Sequence, residues 1–204
     1  MNATDLVETV REDRKTELSR LGSSKSLYAD TEGDLEPETV LAAAADAANH
    51  AVETFDGWAE EDVDGAFATA AESERDHYES IAGELDDHDP GEPPAVVEAI
   101  AQYETPVERL GGLVGWTLVA EKKDSQCSGF FTGQADPQTA SLFRGFGDDY
   151  EATRETALEA LEDACDGDDD WESATAAASE AVGAAYDEYF ETLEALGVNP
   201  KPVC

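Results

Sequence analysis

Apolar residues recur every three to four positions along most of the chain, which is the spacing of amphipathic α-helices. Prolines at 37, 106 and 137 favour helix starts there, because proline suits the first helical turn. No segment has the alternating pattern of a strand or hairpin. We therefore expect an all-α protein, with helices over about 3–21, 37–61, 66–85, 95–103, 106–131, 137–165 and 171–196.

The breaks between these helices suggest one helical domain spanning 1–204. Segments 22–26 and 31–37 are predicted as loops, 62–65 as a turn, and "DDHDPGEPP" at 86–94 as a linker between two helical hairpins. This organisation is typical of a four-helix bundle with added helices. Within it we distinguish an N-terminal helix in 1–26, a bundle core in 36–165, a C-terminal helix in 169–196 and a tail in 197–204.

The net charge of the chain indicates the kind of cell and the salt concentration in which the protein works. The chain has 49 acidic and 12 basic side chains and a net charge of -37, which is self-repulsive unless molar salt screens it. We expect a cytoplasmic protein of a salt-accumulating organism, with neither nucleic acid nor a membrane as partner. The three cysteines have no zinc-ligand spacing, and no apolar run is long enough to span a membrane.

Two terminal segments are candidate contact surfaces. Residues 1–26 carry equal numbers of acidic and basic side chains, unlike the rest of the chain. This neutral segment packs either on its own bundle or on a protein partner. The tail "GVNPKPVC" is stiffened by two prolines and is a second candidate. The amphipathic final helix covers the bundle or forms a dimer face, and we expect a homodimer.

The third predicted helix has an ionisable pair where apolar residues are expected. Its apolar stripe includes Phe67, Ala71 and Ile81, and Glu74 lies near the centre of that stripe. His77 lies at the edge, three residues on. The Glu-x-x-His spacing lets both side chains approach one metal ion.

The helix from Pro106 repeats this feature. Glu121 lies within its apolar stripe, and Asp124 follows three residues later. Burying such carboxylates costs several kcal/mol unless they are neutralised. A metal ion, a cationic side chain or protonation could each do so.

The segment "FATAAESERDHYESIAGEL" at 67–85 resembles the second ligand helix of rubrerythrins, a branch of the ferritin-like superfamily. The resemblance, of haloarchaeal type, extends over roughly 36–165. It implies a ferritin-like four-helix bundle with extra N-terminal and C-terminal helices. Glu74 and His77 match the first Glu-x-x-His of the di-iron centre, and Glu121 suits the lone Glu of the third bundle helix. A haem-oxygenase-like helical fold is the alternative architecture.

Two expected ligand positions depart from this pattern, and the rubredoxin module is absent. The helix from Pro37 has no inward Glu, and Asn49 is the nearest polar residue. The helix from Pro137 lacks the second Glu-x-x-His and instead has Arg154 close to its inward face. Arg154 could pair with Glu74, Glu121 or Asp124 and replace the metal.

Two functions therefore remain open. In the first, the bundle binds iron, with manganese as the alternative, through Glu74, His77 and Glu121, with Asp124 and Asn49 as weaker candidates. The resemblance then implies a non-haem oxidoreductase acting with peroxide or oxygen, or an iron-handling protein. In the second, the metal site is degenerate, no cofactor binds, and the protein is a non-catalytic interaction or regulatory protein.

Overall fold

The computed structural model describes residues 2–60 and 65–200, and over these ranges it contains helices and no strands. The prediction of an all-α protein is confirmed. The predicted turn at 62–65 lies mostly outside the described residues. The helices are α1 (Ala3–Asp13), α2 (Lys15–Leu21), α3 (Ser24–Asp30), α4 (Pro37–Ala59), α5 (Ala66–Ala82), α6 (Ala95–Ile100), α7 (Pro106–Gly133), α8 (Pro137–Ala164) and α9 (Asp168–Ala195).

The N-terminal region differs from its prediction in two ways. A single helix over 3–21 is wrong, because the backbone of Arg14 (φ −103°, ψ 21°) separates α1 from α2. A loop over 22–26 is also wrong from Ser24 onward, where α3 begins. The apolar side chains of Leu27 and Ala29 in α3 are buried, and this burial stabilises the short helix. The polar "GSSKS" segment at its start gives no local sign of a helix.

The neutral N-terminal segment lies against its own bundle. Helices α1 and α2 both pack on α9, and Leu6 and Val10 are fully buried there. Arg20 donates a hydrogen bond to the Tyr186 hydroxyl at 2.5 Å. The side-chain amide of Gln126 donates to the Gly22 carbonyl at 2.8 Å, which ties the segment to α7 as well.

Four long helices form the centre of the molecule. Helix α4 pairs with α5 and α7 with α8, while α5 also contacts α8 and α4 contacts α7. Their starts follow from local chemistry, since Pro106 and Pro137 occupy first turns and Thr105 and Asp136 cap the helices with their side chains. The glycines at 145 and 147 do not interrupt α8.

Helix α7 is buried on every side between Leu110 and Ala120. It approaches α9 closely because two of its residues, Gly111 and Gly115, have no side chain. A Cβ atom placed on Gly115 would lie 2.6 Å from the carbonyl oxygen of Ala178. Helix α9 thus covers one side of α7, while α8 and α4 pack against other sides.

The linker and the tail are both held by hydrogen bonds. The Asp46 carboxylate on α4 accepts from the backbone N–H of Gly91 and lies 2.9 Å from His88 Nε2. The tail is anchored as far as Pro200, whose carbonyl accepts from the Tyr189 hydroxyl at 3.2 Å. Cys204 lies outside the described residues. None of the described helices is long and apolar enough to cross a membrane.

Candidate metal centre

Glu74 and His77 lie side by side inside the bundle, as their shared face on α5 predicts. Their residues are only 3% and 2% exposed, so both side chains lie in the interior of the protein. Oε2 of Glu74 and Nδ1 of His77 are 3.5 Å apart.

The other oxygen of Glu74 is held by a tryptophan from α7. Nε1 of Trp116 donates a hydrogen bond to Glu74 Oε1 at 2.6 Å. The indole ring in turn packs edge-on against Phe55 of α4, with ring centroids 6.2 Å apart. Three helices therefore determine the orientation of this carboxylate.

The imidazole of His77 is positioned mainly from α8. Its Nε2 lies 3.2 Å from Oδ2 of Asp149, and its ring lies over Phe146 with a centroid distance of 4.0 Å. Burial lowers the pKa of His77, but the nearby carboxylates of Glu74, Asp124 and Asp149 outweigh that effect and leave the pKa raised.

In the part of the chain that the structure describes, each residue of this pair has one buried polar atom without a hydrogen-bond partner. Among the described residues, neither Oε2 of Glu74 nor Nδ1 of His77 has a hydrogen-bond partner, although both atoms are fully buried. Buried polar atoms without partners are rare because each costs the desolvation energy of the group. These two unpartnered atoms belong to one pair and lie 3.5 Å apart.

Asp124 lies close enough for its charge to act on His77, and it contacts α8. Its Oδ2 accepts a hydrogen bond from the Tyr150 hydroxyl at 2.9 Å. Burial raises the pKa of Asp124 to about 7, although the positive charge of His77 opposes that rise. The pKa of Tyr150 is also raised, by burial first and then by the Asp124 charge.

Glu121 does not join this pair, and its prediction as a buried stripe residue is wrong. Its side chain is 30% exposed, and Oε2 lies 3.3 Å from the Arg154 guanidinium. Nζ of Lys122 is 3.3 Å from its other oxygen. The physical reason is Arg154 of α8, which is itself buried and pairs with this carboxylate.

Arg154 therefore makes one of its three anticipated pairings, the one with Glu121. It also donates to Oγ1 of Thr117 at 3.3 Å. Burial lowers the pKa of Arg154, and the Glu121 charge opposes that shift. The guanidinium thus satisfies a second polar cluster, separate from the Glu74–His77 pair.

Asn49 is half-buried on α4, and no contact places it with the Glu74–His77 pair. Within residues 2–60 and 65–200, no three His, Cys, Asp or Glu side chains group closely enough to hold a metal ion. Of the five predicted metal residues, the fold thus brings together two, with Asp124 as a charged neighbour.

Sequence reasoning missed the partners that orient the pair. Neither Trp116 nor Asp149 is predicted by its sequence position to contact Glu74 or His77. A signal existed for Trp116, because a buried indole N–H needs an acceptor and Glu74 is a buried acceptor. Asp149 gave no such signal, since its side chain is 57% exposed.

A cavity of about 420 Å³ adjoins this centre. Trp116, Asp124 and Tyr150 line it, together with residues of α3, α4 and α9. The residues that orient Glu74 and His77 are therefore in part also the walls of a space large enough for a small molecule.

Comparison with known proteins leaves the chain without an assigned family. No protein-family model, no curated protein and no solved structure matches it. The chain is an all-α protein with a buried Glu–His pair, and this pair is the basis of the proposed function.

Proposed function

We propose that this protein is a ferritin-like bundle of the rubrerythrin type that binds one divalent metal ion, iron or manganese, at Glu74 and His77. The observation that carries the proposal is the pair of buried, partnerless atoms 3.5 Å apart. The packing of α4 with α5 and of α7 with α8, on either side of a linker, supports the bundle architecture.

The spacing of the two atoms fits shared coordination. With zinc as a guide, metal bonds to imidazole nitrogen and carboxylate oxygen are about 2.1 Å long. Two such ligands at a tetrahedral angle lie roughly 3.4 Å apart by the same bond lengths. Iron and manganese accept a mixed oxygen and nitrogen ligand set.

The partners of the pair also suit a metal site. A metal-binding histidine usually engages a carboxylate with its second ring nitrogen, and His77 does so with Asp149. Ligating carboxylates are commonly hydrogen-bonded as well, and Trp116 serves Glu74 in this way. Each ligand is thus oriented through one atom while another remains free.

A di-iron centre does not fit these residues. Glu121 is paired with Arg154, and a permanently charged guanidinium lies where further ligands would be needed. Only Glu74 and His77 of the six-residue ligand set remain, so we infer a site for one ion and derive no two-metal chemistry.

A bound iron ion would supply electron exchange with peroxide or oxygen, which is the activity the rubrerythrin resemblance implies. The protein's own part is positional. His77 and Glu74 hold the ion, Asp149 and Trp116 fix their orientation, and the surrounding aromatic rings limit access of water.

The test is elemental analysis after anaerobic loading with Fe²⁺ or Mn²⁺ and extensive dialysis in molar KCl. High salt is essential because 49 acidic side chains bind cations loosely. We expect about one ion per chain in the wild type and none in the Glu74→Ala/His77→Ala variant. Equal metal in both proteins, or none in either, would overturn the proposal.

A second candidate function is a metal-free interaction or regulatory protein. The Arg154–Glu121 pair favours it, because the protein already neutralises one inward carboxylate with its own cation. In that case a proton shared by Glu74 and His77 replaces the metal, in line with the raised pKa of His77. Absence of metal in the loading experiment would select this function.

A further inference from the structure

The cavity beside the candidate metal centre has an unbalanced charge. Six acidic residues line it: Asp30, Glu32, Asp46, Glu92, Asp124 and Glu188. Among its described lining residues the single basic one is Lys123, whose Nζ is paired with Asp30 at 2.5 Å. The cavity therefore presents a net negative field to any molecule that enters it.

One wall of the cavity is apolar and made of small side chains. Ala44, Ala47 and Ala48 of α4 line the cavity together with Val119 and Ala120 of α7. Their small volume leaves the space of about 420 Å³, which lies in the usual range for small-molecule sites. This wall suits a short hydrocarbon chain.

Aromatic rings and a carboxylate also line the cavity. Trp116, Tyr150 and Asp124 are among its lining residues, and Asp124 Oδ2 accepts a hydrogen bond from the Tyr150 hydroxyl. A carboxylate has lone pairs for further donors, and the faces of tryptophan and tyrosine attract cations. The lining thus offers two kinds of interaction to a positively charged group.

We propose that this cavity binds a small organic cation, an alkylammonium whose charged head lies at Asp124 and whose hydrocarbon chain lies along the alanine wall of α4. The carboxylates that attract this head repel a carboxylate ligand of the same size. The site is distinct from the Glu74–His77 pair and does not require a metal.

The experiment is isothermal titration calorimetry with three probes of equal chain length: hexylammonium, 1-hexanol and hexanoate. Titrations are made in molar KCl, where surface ion pairs are screened, with EDTA present, and at pH 8.5, above the pKa of about 7 of Asp124, so that its carboxylate is ionised. The chelator separates this test from the metal proposal, since loss of metal leaves cation binding unchanged. We expect hexylammonium to bind at least tenfold tighter than hexanol, and hexanoate to bind weakest.

Two variants locate the head and the chain. Asp124→Asn keeps the shape of the side chain and removes its charge, so hexylammonium should bind about tenfold weaker while hexanol is unaffected. Ala47→Phe fills the cavity and should weaken both. Asp148→Asn, the same change at an exposed position of α8, is the matched control and should alter neither.

Each possible result of these titrations either supports or overturns the proposed cation site. Selective loss of hexylammonium binding in Asp124→Asn, with circular dichroism unchanged, supports the proposal. Hexanoate binding equal to that of hexylammonium, an unchanged dissociation constant in Asp124→Asn, or no binding of any probe would overturn it. The Asp124→Asn result stands even if Ala47→Phe fails to fold.

Discussion

Glu74 on α5 and Glu121 on α7 occupy similar positions in two apolar stripes, one on each side of the linker. Glu74 is buried beside His77 and accepts from Trp116, and one of its oxygens lacks a partner among the described residues. The Glu121 side chain is 30% exposed and lies 3.3 Å from both Arg154 and Lys122. Similar sequence positions have thus given one buried carboxylate with an unpartnered oxygen and one carboxylate in an ion pair.

The difference comes from what the neighbouring helix supplies. Helix α8 offers Arg154 to Glu121, and the guanidinium, 3.3 Å from the carboxylate, neutralises its charge. Toward Glu74 and His77 the same helix offers Phe146, Tyr150 and the carboxylate of Asp149. A buried carboxylate surrounded by neutral donors and further acids needs an external cation or a proton, and this need is the physical basis of the metal proposal.

The largest expected effect is at Trp116. Trp116→Phe removes the donor to Glu74 Oε1 and leaves both oxygens of a buried carboxylate unsatisfied. We expect the free energy of unfolding to fall by about 2–4 kcal/mol, measured by urea denaturation in molar KCl.

A double-mutant cycle separates this hydrogen bond from packing. In a Glu74→Leu background, Trp116→Phe should lower the free energy of unfolding by about 1 kcal/mol less than it does in the wild type, because no carboxylate remains to be satisfied. Trp171→Phe, at another buried tryptophan, reports the packing cost alone. Equal costs of Trp116→Phe in both backgrounds would show that the indole does not stabilise Glu74.

The next largest effect is on the pH dependence of the free energy of unfolding, and it arises near the Glu74–His77 pair. The pKa of Asp124 is about 7 in the folded protein and 3.8 ordinarily, so the folded state retains a proton that the unfolded chain releases. Stability from this proton is fully present below pH about 4 and is lost as pH rises to 7. The raised pKa of His77 acts in the same direction, from pH about 6.5 upward.

Asp124→Asn isolates the aspartate's share of that dependence. Between pH 5 and 7.5 the metal-free wild type should lose on the order of 2 kcal/mol more stability than the variant, measured by denaturant unfolding. The comparison of slopes matters, because the many surface carboxylates affect both proteins alike. Parallel curves would contradict a raised pKa of Asp124 in the folded protein.

The smallest effect is expected at the ion pair. Arg154→Met removes the charge but keeps the apolar stem, and the remaining Glu121 is partly exposed and still close to Lys122. We expect a loss of about 1 kcal/mol in unfolding free energy. Arg144→Met, at an exposed arginine of the same helix, should be neutral within about 0.5 kcal/mol. A cost at Arg154 above that of Trp116→Phe would reverse the comparison.

Much of the helical architecture could be predicted because apolar periodicity and helix-starting prolines are local signals. The starts of α4, α7 and α8 at Pro37, Pro106 and Pro137 agree with prediction. The division at Arg14 and the helix over Ser24–Asp30 could not be read in this way, since they depend on contacts with α9 and α7 that no local pattern encodes.

The candidate site was predictable only as far as one helix could specify it. Glu74 and His77 share a helix, so their spacing alone places them together. Glu121 was misplaced because its environment is decided by Arg154, which follows it by 33 positions on another helix. Trp116 and Asp149 were missed for the same reason, since each reaches the pair from a different helix.

The most direct test of the central claim is a matched pair of substitutions at the two carboxylates. Glu74→Gln and Glu121→Gln are each titrated with Mn²⁺ in molar KCl, and free Mn²⁺ is measured by electron paramagnetic resonance. We predict one bound ion in the wild type and in Glu121→Gln, and none in Glu74→Gln. Loss of binding in Glu121→Gln alone, or no bound ion in the wild type, would contradict the assignment of the metal to Glu74 and His77.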